Sequence, residues 1–198
     1  MFRRAMSVLA VSASLIVVAC GEPPTKELQQ AQTAIDAARA AGADRFAREE
    51  FTAAEDALKR ANDAVAQRDY RLALNNALDA RERAQTASRD ASGRRAAARK
   101  DADRALSAAT AALTEARAKL TTAVGARVPA ASLDAPRTTI TDAESALQKA
   151  RTAFDGGDFG GASEAATRVA ASLRQISRDL ESAASSQTHR RRSGPGKS

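Results

Sequence analysis

The chain has 198 residues, a formal net charge of +7, only 3% aromatic residues and no tryptophan, and roughly a quarter of it is alanine. So little large apolar side chain excludes a thick globular core. Alanine, the strongest helix former, interleaved with Arg, Glu, Gln and Leu predicts an all-α protein of long, thin helical elements.

The first element is Met1-Phe2-Arg3-Arg4 followed by an uncharged run from Ala5 to Ala19. A basic start and an apolar stretch of about 15 residues have the layout of a secretory signal, and the stretch is shorter than the ~20 residues of a membrane-spanning helix. Val17-Val18-Ala19-Cys20 resembles the bacterial lipobox, in which a branched apolar residue, a small residue and cysteine mark the site of diacylglyceryl transfer and cleavage. The resemblance implies a signal peptide over 1–19, a lipidated Cys20, and a tether over 20–25. The other reading of the same residues is an ordinary signal-peptidase site that happens to lie beside a cysteine. Cys20 is the only cysteine, so an exported chain has no internal disulfide partner for it. Two or three acyl chains would anchor it stably, at about 0.8 kcal/mol per buried methylene. Gly21 and Glu22 follow, where resemblance to Gram-negative lipoproteins would require aspartate for retention in the inner membrane. The expected location is therefore the outer membrane facing the periplasm, or the cell surface in a single-membrane host.

A helical domain is expected over 26–125, with three helices and the third long. The first, about 26–41, carries Leu28, Ala31, Ile35 and Ala38 at steps of three and four. The second, about 46–67, carries Phe51, Ala54, Leu58, Ala61 and Val65. The third follows Asp69, a candidate N-cap, with Tyr70, Ala73, Ala77, Ala80, Ala84, Ala87 and Ala91 along one face. Its stripe resumes at Ala98, Ala102, Ala105, Ala109, Ala112 and Ala116 as a coiled-coil-like seam. Continuous from 70 to 124, this helix would span roughly 80 Å. Ser92-Gly93-Arg94-Arg95 is its weak point, since glycine costs about 1 kcal/mol inside a helix, and a kink or break there is the other outcome.

A proline-containing linker is expected over 126–136, where Pro129 and Pro136 stand. A second helical hairpin over 137–183 follows, with Ile140, Ala143, Leu147, Ala150 and Phe154, a turn at Gly156-Gly157-Asp158, and Phe159, Ala162, Ala166, Val169, Leu173, Ile176 and Leu180. Residues 184–198 show no apolar pattern and are expected to form a disordered basic tail.

The second and third helices match this hairpin at a constant offset of 89 residues: Ala54-Glu55, Ala57-Leu58, Ala61, Asp69-Tyr70, Ala73 and Ala77 align with Ala143-Glu144, Ala146-Leu147, Ala150, Asp158-Phe159, Ala162 and Ala166. One helical hairpin is repeated. The spacing puts Tyr70 and Phe159 on the alanine faces, as wedges at the start of the second helix of each copy, the other reading being ligand anchors.

Glu27 to about Ala98 resembles the domain-of-unknown-function 4398 family of alanine-rich helical lipoproteins, which sometimes stands beside peptidoglycan-binding domains. The telling segments are Ala40-Ala41-Gly42-Ala43-Asp44-Arg45-Phe46-Ala47 and Ala64-Val65-Ala66-Gln67-Arg68-Asp69-Tyr70-Arg71-Leu72-Ala73. Arg68 replaces the usual glycine, which the second copy keeps as Gly157. Each hairpin also resembles one tetratricopeptide (TPR-like) unit.

No chemistry-bearing constellation emerges. His189, the only histidine, falls in the expected tail. Glu49 with Glu50, Glu55 with Asp56, and Asp101 with Asp103 sit on arginine-studded helices and are expected to be solvated faces. The Gly156–Gly161 run is expected to be a turn and no phosphate loop. A non-catalytic chain without metal or cofactor is expected, and no small-molecule substrate is evident. Six of the 31 basic residues lie in the signal or the tail, leaving 25 against 24 acidic ones, so nucleic acid is not an expected partner. Arg190, Arg191, Arg192 and Lys197 are candidates for contact with an anionic surface, the other reading being a solubilising tail. The expected partners are the membrane, through the N-terminal lipid, and an envelope protein or peptidoglycan. Two roles fit: a structural or scaffolding lipoprotein, and a TPR-like adaptor for a periplasmic protein or peptide.

Overall fold

The computed structural model describes residues 21–192, in which every regular element is helical: α1 (Thr25–Ala40), α2 (Ala43–Phe46), α3 (Arg48–Ala66), α4 (Tyr70–Gly125), α5 (Ala130–Asp155) and α6 (Phe159–Arg192). The chain is all-α. It divides between Ala91 and Ser92 into two compact units.

In the first unit, α1, α3 and the first part of α4 form a three-helix bundle. Its core is a layer of Ile35, Ala38, Phe51, Ala54, Ala84, Ala87 and Ala91, continued by Ala31, Ala57 and Ala80. Methyl groups at these positions let the helix backbones approach closely. Each buried methyl contributes only about 0.8 kcal/mol, so many must act together. Arg39 on α1 ties the edge of the bundle to α3, donating to Glu55 Oε1 at 2.6 Å with its guanidinium 5.3 Å from the Phe51 ring centre. Arg83 does the same between α4 and α3, reaching Glu50 at 3.6 Å.

The second unit repeats the arrangement with α5, α6 and the later part of α4. Ala109, Ala112 and Ala116 meet Ile140, Leu147, Ala166, Val169 and Leu173. Arg117 on α4 donates to Glu144 Oε1 at 2.7 Å. Glu144 is the 89-residue equivalent of Glu55, and Arg117 stands 78 residues after Arg39, as Ala109 and Ala116 stand 78 after Ala31 and Ala38. The repeating element is therefore a three-helix bundle; the expected hairpin is two-thirds of it.

Several expected boundaries change. The expected second helix, about 46–67, is α3, and a separate single turn, α2, precedes it: Gly42 at φ +85° starts that turn and Ala47 at φ −142° ends it. Helix α4 passes through Gly93, an exposed position where neighbouring alanines sustain the helix. The linker expected over 126–136 is mostly helix: α4 ends in a tight turn at Ala126–Val128, Pro129 caps α5, and Pro136 lies inside it. Pro136 costs one backbone hydrogen bond, but it and Leu133 are buried, and Leu133 packs with Ala123, Val128, Leu180 and Ala184. The same cluster carries α6 past residue 183, so the expected tail over 184–198 is helical as far as Arg192.

Candidate functional site

Cys20 and the run before it lie outside the described residues, as does Lys197. The tether does come into view. Pro23 accepts a hydrogen bond from the Thr25 N–H at 2.7 Å, and Pro24 accepts one from Leu28 at 3.0 Å, so the chain turns straight into α1. Gly21 lies beside Tyr70; a Cβ placed on it would stand 3.7 Å from Tyr70 Cδ2. Tyr70 is half-buried and borders the tether at the start of α4. Its counterpart Phe159 is buried and meets Phe154 edge-on with ring centres 5.3 Å apart. The two aromatics thus share a chain position but differ in depth and neighbours.

The expected basic residues Arg190, Arg191 and Arg192 occupy the last turn of α6 with His189, where cations complement the carbonyl end of the helix. The structure adds Arg127, exposed in the turn after α4, whose carbonyl accepts from Gln187 Nε2 at 3.4 Å. Sequence reading missed it because it is 63 positions away from Arg190. A shallow cleft of about 550 Å³ beside this end is lined by Thr122, Thr188, His189 and Arg192.

The carboxylate pairs are dispersed among ion pairs. Glu50 faces Arg83, Glu55 holds Arg39, and Asp101 sits 3.6 Å from Arg104. Among the described residues no group of three or more His, Cys, Asp or Glu could hold a metal ion, and no helix is long and apolar enough to cross a membrane.

A further recess was not anticipated. A groove of about 810 Å³ runs between α1 and the first part of α4, with Lys26, Gln29 and Gln30 on one wall and Arg81, Gln85 and Arg89 on the other. Arg81 Nη1 donates to Gln30 Oε1 across it at 2.8 Å.

Residues 26–105 match the family model described as "Domain of unknown function (DUF4398)". The match covers the whole first bundle from Lys26 onward. No curated protein and no solved structure gives a significant match to the chain.

Proposed function

We propose that the chain is a membrane-anchored envelope lipoprotein with a structural or scaffolding role, non-catalytic, held by lipid on Cys20. The anchor is supported by Val17-Val18-Ala19-Cys20, five residues ahead of the first helix. The scaffolding role is supported by one observation above others: the same alanine-seamed three-helix bundle is built twice, with the interhelical pairs Arg39–Glu55 and Arg117–Glu144 at corresponding places. Gly21 and Glu22 after the cysteine favour the outer membrane facing the periplasm.

The test is replacement of Cys20 by serine in cells fed labelled palmitate. The expected result is loss of label and either release from membranes or retention of the uncleaved signal. Label persisting in Cys20→Ser would overturn the anchor. Cross-linking in intact envelopes, followed by purification of the lipidated chain, tests the scaffolding role; recovery without any envelope protein or wall fragment would count against it. The TPR-like adaptor is the second reading, supported by the hairpin that recurs at 89 residues. Two copies fall short of the three or more that stacked arrays usually need, which favours the scaffold.

A further inference from the structure

We propose that the groove between α1 and α4 in the first bundle is a binding site for a carboxylate-bearing oligosaccharide. The two bundles supply an internal comparison. At the positions of Gln30 and Arg81 the second bundle has Ala108 and Ala170, and at the position of Ala37 it has Glu115. Ala170 is 2% exposed and packs in the core with Ala112 and Leu173. The same scaffold therefore carries methyl groups at the positions of Gln30 and Arg81, with Ala170 drawn into the core. In the first bundle, side chains longer than packing requires take those positions and border an open groove of about 810 Å³, within the ~300–1,000 Å³ usual for ligand pockets.

The lining selects the ligand. Lys26, Arg81 and Arg89 bring three cations, and no carboxylate lines the groove. None of the three has a carboxylate partner among the described residues: Arg81 bonds the Gln30 amide, and Arg89 bonds Thr86 Oγ1 at 3.1 Å. An anion is the complement, bound through charge-assisted hydrogen bonds. Because Gln30 Oε1 is taken up by Arg81, the Gln30 amide presents N–H donors, and Arg81 is held across the groove before any ligand arrives. Gln29 and Gln85 both donate and accept, which suits hydroxyl and acetamido groups; a phosphate only accepts and would leave their carbonyl oxygens unmatched. Ala34 and Ala37 line the groove with methyl groups flush with the helix surface, suited to the apolar face of a sugar ring and offering no hole for a peptide side chain.

The test titrates the full chain, purified in detergent, with trigalacturonate, maltotriose and inorganic phosphate by calorimetry. Saturable binding of trigalacturonate alone is expected. The Gln30→Ala, Arg81→Ala double variant takes the residues that the second bundle already carries, so it should keep its helical circular dichroism while binding falls about tenfold or more, the scale of one lost charge-assisted contact. Arg60→Gln, outside the groove, should bind as the parent does. Absence of trigalacturonate binding, equal binding of maltotriose, displacement by equimolar phosphate, or full binding by the double variant would each overturn the proposal. Should the double variant lose helicity, Arg89→Gln provides the same reading at the rim, and unchanged binding there would overturn the proposal too.

Discussion

Arg68 and Gly157, 89 residues apart, hold the same left-handed place in their turns, at φ +60° and +79°. In both, the residue donates to a carbonyl three back, Val65 or Phe154, and the following aspartate donates to Ala64 or Ala153 at 2.9 Å. This is the paired closure by which a helix end satisfies its last carbonyls. Glycine meets little resistance there, whereas an L side chain costs about 1–2 kcal/mol. Arg68→Gly should therefore stabilise the chain by about 1 kcal/mol, near 2–4 °C in Tm for this length, and Gly157→Ala should destabilise it by a similar amount. Thermal unfolding with the opposite signs would show that the turns are not equivalent.

Asp69 and Asp158 then cap the next helix. Asp69 Oδ1 accepts from the Leu72 N–H at 3.0 Å, and Asp158 Oδ1 from the Gly161 N–H at 3.1 Å. Replacing either by alanine should cost about 1 kcal/mol, and by asparagine much less. A Cβ at Gly161 would run into the Asp158 carboxylate, so Gly161→Ala should displace the cap. In chemical denaturation, Gly161→Ala should then add little in an Asp158→Ala background; full additivity would show that the cap tolerates the methyl group.

The helices, the 89-residue repeat and both aspartate caps were legible because each has a local signal: steps of three and four, a fixed offset, an Asp before an aromatic. The α5 boundary was hidden. The rule that proline ends helices outweighed the apolar spacing of Leu133, Pro136 and Ile140, which are all buried. The kinship of α1 with the later part of α4 was also missed, since an unbroken helix has no turn to mark where a repeat begins. The groove was illegible for another reason: Gln30 and Arg81 are 51 residues apart and meet only through bundle packing. Cys20 is the reverse case, resting on sequence alone.

Phe159 is 7% exposed and packs edge-on against Phe154, and the Arg99 guanidinium lies 5.9 Å from the Phe154 ring centre. Few other side chains of that size support the second bundle. Phe159→Ala should cost about 3 kcal/mol or more, a large share of the ~5–15 kcal/mol typical of a domain. Tyr70→Ala, at a half-buried ring beside Gly21, should cost clearly less. Equal losses in denaturant titrations would mean that the two rings are buried alike.

Ser177 presents the opposite situation, a buried residue whose polar group is unsupported. It is 4% exposed, on the buried face of α6, and its Oγ has no hydrogen-bond partner among the described residues. A buried hydroxyl without a partner forfeits about 1–3 kcal/mol of solvation. Alanine fills nearly the same space and is the better helix former, so Ser177→Ala should raise stability by about 1 kcal/mol or more. Ser172, exposed on the same helix, isolates the burial effect: Ser172→Ala should gain only the propensity difference, about 0.5 kcal/mol. The comparison is read from the midpoints of urea unfolding for the two variants and the parent, at equal slope. A loss of stability in Ser177→Ala would mean that the hydroxyl is bonded after all, with the carbonyl one turn back as its nearest candidate acceptor.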